Sequence, residues 1–178
     1  MLTDQSTCQV SDVICQIVAA AGGRLEGKLR LYKAFYFAHL FYWQRGQGVL
    51  TQHPIVRMPL GPGIDQGATI IQALQEDGTL NVSTRPVGPY REHVYELVKP
   101  FEINPADPRY QAIEEAVEWV RNKSAVELSE ETHVWSRSWR QAQDGDVLDI
   151  YADLLEDDEL GQVKQNVGQA EALVHGAF

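Results

Sequence analysis

The chain has no run of 18 apolar residues, and its longest candidate, Ala34 to Trp43, would cover about half a bilayer span and contains His39. That excludes a membrane helix. The opening MLTDQSTCQVSDVICQ is acidic and polar, without the basic start and apolar core of a secretory signal, so the expected compartment is the cytoplasm. Cysteine is scarce: only Cys8 and Cys15 occur. Both fall in a stretch that reads as helix, where seven residues amount to about 10 Å along the axis. A disulfide wants Cα atoms closer than about 7 Å, so two reduced thiols are expected.

Motifs of common chemistries are lacking too. His39, His53, His93, His133 and His175 are scattered, with no H-E-x-x-H, C-x-x-C or paired spacing, so no metal and no cofactor are expected. Gly61-Pro62-Gly63 is followed by no Gly-Lys-Ser/Thr, and its proline has no N–H for a phosphate; a turn before a helix is the simpler reading. There is no G-x-S-x-G, and Cys15 sits among apolar neighbours away from positive charge. No basic stripe suggests nucleic acid. Residues 1–60 carry six basic and three acidic side chains, whereas residues 141–163 carry eight acidic ones and no basic one. Duplex DNA would be repelled there.

What remains is a chain of 178 residues with 44% hydrophobic content, enough for one globular domain without metal or disulfide support. Val10 to Ala21 reads as an amphipathic helix stopped by Gly22-Gly23. Lys28 to Gln44 is apolar almost all round, the pattern of a helix at the centre of a bundle. Residues 53–58 read as extended, and Pro59 to Gly63 as a tight turn feeding a helix over Ile64 to Asp77. Leu80 to Thr84 and Val94 to Val98 read as an antiparallel hairpin. Further helices are expected over Arg109 to Asn122 and over Ala125 to Thr132, the latter opened by a Ser124/Glu127 capping box. From Val147 the tail alternates apolar and acidic residues at helical spacing. The expected fold class is α+β, a mainly helical bundle around a central apolar helix with a small antiparallel sheet.

Two features ask for more than packing. Lys33 lies in the nearly all-apolar helix, which requires either an exposed stripe beside Arg30 or a paired carboxylate. Trp135 and Trp139 stand four apart with Arg137 and Arg140 between and beside them, residue types common both in cores and in binding hot spots. A weaker candidate is His133 with Glu130 or Glu131 as an acid/base pair, against the simpler reading of solvated helix-end groups.

The stretches Arg30-Leu31-Tyr32-Lys33-Ala34-Phe35-Tyr36-Phe37-Ala38, Val56-Arg57-Met58-Pro59-Leu60-Gly61-Pro62, and Glu127-Leu128-Ser129-Glu130-Glu131-Thr132-His133 with Trp139 together resemble the Panacea domain, the family of phage-associated, SocA-like antitoxins. The resemblance covers about Gly27 to Ala142. Arg30 and Ala34 replace the family's usual Lys and Leu, Leu60 stands where an aromatic is common, and Ser138 stands where a proline often precedes the tryptophan. The resemblance implies a domain that acts by binding and neutralises a partner toxin, with no catalytic residues. An alternative is an adaptor that delivers the toxin to a cytoplasmic protease.

On this reading Leu31, Lys33, Tyr36, Ala38, Arg57, Gly61, Pro62, Thr132, His133 and Trp139 are scaffold, with His133 capping or bridging helices. Candidate partner-binding residues are Trp135, Arg137, Asp153, Glu156, Asp157 and Asp158. The expected partner is a protein toxin from the adjacent gene, with no nucleic acid and no membrane. Residues 1–142 would form the Panacea-like domain, and residues 143–178 an acidic helical extension packed on it, suited to a basic toxin surface.

Overall fold

A computed structural model of the chain describes residues 7–155. The fold is α+β, built around one buried helix. Helix α1 (Val10–Ala20) buries Val13, Ile14, Ile17 and Val18 and ends before Gly22 and Gly23. Strand β1 (Arg24–Glu26) leads to α2 (Lys28–Gln44), whose residues 31–40 are buried without a break. A helix with no polar stripe must be covered on every side. It packs against α1, against α4 (Pro108–Arg121) and against α5 (Ala125–Trp135).

Between α2 and α4 the chain makes two small antiparallel sheets. Strands β2 (Ile55–Met58) and β3 (Gly61–Ile64) form a hairpin with Met58 opposite Gly61, so Pro59-Leu60 is its two-residue turn. Helix α3 (Gly67–Glu76) follows. Strands β4 (Leu80–Val87) and β5 (Tyr90–Leu97) form the second hairpin, and β1 adds to its other edge in the order β1-β5-β4. After α5 come a short helix α6 (Arg137–Gln141) and a 3-10 turn, Ile150–Leu154.

Several expectations are corrected by these elements. Gly61 to Gly63, expected as the end of a tight turn, and Ile64, expected as the first residue of a helix, are instead strand β3: Gly61 pairs with Met58 and Pro62 with Arg57 across the hairpin, and α3 begins only at Gly67. The second hairpin runs three residues longer on β4 than expected, because Gly88-Pro89 turns tightly and Arg85 pairs with Glu92 across the strands. Helix α5 continues three residues past Thr132 to Trp135, opened by the expected Ser124–Glu127 box. Cys8 lies before α1, where its N–H bonds the Leu50 carbonyl, and only Cys15 is inside the helix; both thiols are free.

Past residue 142 the chain continues into the same core. Val147 bridges Val56, and Leu148 and Ile150 are buried in the main apolar cluster. The part of the expected helical extension beyond Leu155, with Glu156, Asp157 and Asp158, lies outside the described residues. No described helix is long and apolar enough to cross a membrane.

Candidate functional site

Helical spacing puts Lys33, Phe37 and Phe41 on one stripe of α2. The stripe divides into a buried polar cluster at Lys33 and an aromatic face at Phe37 and Phe41.

Lys33 is only 1% exposed. Neither of its expected settings holds: it is not on an exposed stripe, and no carboxylate among the described residues pairs with it. Its ammonium donates to the Pro62 carbonyl at 3.0 Å, so a backbone dipole of the β2–β3 hairpin replaces the counter-charge. Burial pulls its pKa down from 10.5 to about 7. Gly61 sits directly against it. A β-carbon there would collide with Lys33 Nζ and Thr132 Oγ1, and the positive φ already favours glycine. Thr132 is fully buried and returns its hydroxyl to the Leu128 and Ser129 carbonyls of its own helix. Glycine at 61 and a short hydroxyl at 132 thus let the hairpin turn approach α2 and α5 over the lysine.

Trp139 closes the neighbouring layer. Its indole N–H donates to the Met58 carbonyl at 2.8 Å, and its own carbonyl accepts from Arg57 Nε at 3.0 Å. The Arg57 guanidinium lies over the indole at 4.3 Å and pairs with Asp144. His133 stacks on the same ring system, centroids 3.9 Å apart and nearly parallel, with Nε2 3.4 Å from the Ser129 hydroxyl. It therefore ties α5 to α6. Burial and the charge of Lys33 both lower its pKa, with the Pro59 carbonyl and Glu130 acting the other way. No hydrogen bond joins His133 to Glu130 or Glu131. Glu131 pairs with Lys123 at 2.9 Å instead, so the sequence-based acid/base pair is not assembled.

Asp153 turns inward. Its carboxylate accepts from the Tyr36 hydroxyl at 2.7 Å, the Ser136 hydroxyl at 2.7 Å, and the Ser138 N–H and hydroxyl at 2.7 and 3.0 Å. That network spans α2, α6 and the 3-10 turn, and it removes Asp153 from the candidate partner contacts. Ser136 and Ser138 were not expected as functional positions. The departure at Ser138 was the available signal, since a proline there has no N–H for Asp153. Other acidic residues of this part are also engaged locally: Asp144 with Arg57, and Asp146 accepting the Gln143 N–H. Leu31 and Ala38 are core residues.

The aromatic face has the opposite character. Phe37 and Phe41 floor a notch of about 80 Å3 whose walls are Trp119, Trp135 and Glu131. Trp119 and Trp135 are each 45% exposed, and both lean on Phe37 with centroids 6.0 and 6.2 Å away. Lys123 lies 3.6 Å over the Trp119 ring while holding Glu131, which gives the notch a charged rim. Val134, beside Trp135, is largely exposed, and Arg137, the first residue of α6, is half-buried. Trp119 was read from sequence only as part of a helix; its position opposite Phe37 is a tertiary fact that no local pattern encodes.

Among the described residues no group of three His, Cys, Asp or Glu is placed to hold a metal. Comparison of the chain with protein-family models, with curated proteins and with solved structures finds no match.

Proposed function

We propose that the chain is a protein-binding domain of the antitoxin kind, which holds a toxic protein from a neighbouring gene inactive by direct contact in the cytoplasm. The observation that carries the reading is the notch between Trp119 and Trp135. Two half-exposed tryptophans on a rigid aromatic floor, rimmed by Lys123 and Glu131, have the anatomy of a binding hot spot. The motif set gives the reading its specific form. Lys33, Gly61, Thr132, His133 and Trp139 converge on one internal joint, which suits a scaffold that presents a surface.

Co-expression with the neighbouring gene product tests it. Expected are relief of that product's toxicity and a complex that survives purification. Trp135→Ala should weaken the complex at least tenfold while the domain stays folded, as truncation of a hot-spot aromatic does. A harmless neighbour that forms no complex defeats the proposal.

A further inference from the structure

A second region, sharing no lining residue with the tryptophan notch, is a cleft of about 590 Å3 between one face of α3 and the β4–β5 hairpin, with the start of α2 at its edge. Its volume falls in the range of small-molecule sites, about 300–1,000 Å3. Ile71 and Val82 supply apolar wall; Lys28, Tyr32, Tyr95, His93 and Gln75 supply polar groups.

The tyrosines are the unusual element. Tyr32 is 3% exposed and Tyr95 2% exposed, and among the described residues neither hydroxyl bonds the protein, yet neither oxygen is sealed from solvent: the rings are buried and the hydroxyls open on the cleft. A tyrosine with a buried ring and an open hydroxyl offers a fixed donor to whatever occupies the cleft, water or guest. Here both side chains line the same cleft, so a molecule within it can take both bonds. Burial raises both phenol pKa values, which keeps the hydroxyls protonated donors at neutral pH.

The charge around them selects the guest. Lys28 has no ion pair among the described residues; its ammonium lies 5.2 Å from the Tyr32 ring centroid. It also stands at the first position of α2, where the helix already presents its positive end. The acidic group lining the cleft, Glu76, accepts from the Gln72 amide at 2.8 Å. The hydroxyl donors and the Lys28 ammonium therefore face an apolar wall, with Glu76, still anionic, as the one carboxylate of the lining.

We propose that this cleft binds a small organic anion, its carboxylate or phosphate head on Lys28 and the Tyr32 and Tyr95 hydroxyls and its apolar body against Ile71 and Val82. The proposal does not depend on the antitoxin reading.

Titration of the full chain with benzoate, phenyl phosphate and neutral benzyl alcohol, followed by amide NMR shifts, tests it and separates the two head groups. One or both anions should saturate shifts at Lys28, Ile71, Gln75 and His93, with benzyl alcohol at least about tenfold weaker. The double variant Tyr32→Phe/Tyr95→Phe should bind about tenfold or more weakly with its thermal midpoint unchanged, because neither hydroxyl bonds the protein. Lys28→Gln, a change at an exposed side chain, should weaken the anions and leave the alcohol alone. No saturable shift from either anion up to about 10 mM overturns the proposal, as does equal binding of the alcohol or undiminished affinity in both variants.

Discussion

The two ends of the α2 stripe teach different things. At Lys33 every polar group is turned inward and the spacing is so close that a single added carbon has nowhere to go. One and two turns later, Phe37 and Phe41 support side chains that remain half in water. The first end spends its chemistry on joining a hairpin to two helices, and the second leaves surface to spare. A change at the first end should therefore register in stability, and at the second in binding.

The sharpest test is Gly61→Ala. The β-carbon meets Lys33 Nζ and Thr132 Oγ1 while the backbone sits at φ +110°. Overpacking and backbone strain together should cost about 3 kcal/mol or more, read from denaturant midpoints. A loss near zero would mean that the joint is loose and that the contrast with the aromatic face is unfounded.

Next comes the protonation of the buried bases. Lys33 has a folded pKa of about 7 against 10.5 as its ordinary value, so between those pH values the unfolded chain binds more protons. Stability from this group is complete above about pH 10.5 and is lost as pH falls towards 7. His39, fully buried with Nδ1 2.7 Å from the Phe35 carbonyl, is lowered to about 4 by burial. Its contribution is complete above about pH 6.5 and is lost as pH falls through 4. Relative to the wild type, Lys33→Met should remove about 3 kcal/mol of the stability change between pH 7.5 and 10. Referring each variant to wild type cancels opposing groups such as Cys15, whose thiol burial pushes up to about 11. An unchanged slope would place the lysine in water and undo the buried joint.

The central helix was legible because residues 28–44 carry an uninterrupted apolar pattern, and the capping box at Ser124 because its chemistry is local. The strand over 61–64 was not, since Gly-Pro-Gly has no strand propensity and is held by pairing with β2. The partner of Lys33 could not be read either. Pattern reasoning looks for a carboxylate, and the structure uses the carbonyl of Pro62, a group every residue possesses. Trp119, Ser136 and Asp153 gain their roles from contacts across the fold, which leave no trace in neighbouring residues.

A smaller effect belongs to the Asp153 network, which lies beside the joint. Asp153→Asn replaces one acceptor oxygen by a donor facing donors and should cost about 2 kcal/mol. Ser138→Pro removes the N–H at 2.7 Å and the hydroxyl at 3.0 Å, with a φ the first turn of α6 tolerates, and should cost about 1–2 kcal/mol. Because both act on one carboxylate, the double variant should lose less than the sum. Strict additivity would show that Asp153 and Ser138 do not share a network.

The smallest expected change of stability lies on the aromatic face, where Trp135 is 45% exposed and touches Phe37 at the periphery of the core. Trp135→Ala should cost no more than about 1.5 kcal/mol, against about 3–5 kcal/mol for Phe37→Ala beneath it. The same ratio should hold in thermal and denaturant unfolding, since neither substitution alters a charge. If Trp135→Ala destabilised the domain as much as Phe37→Ala, the tryptophan would be core rather than surface. Its half-exposed ring would then be the lip of a closed packing layer, with nothing held in reserve for a partner.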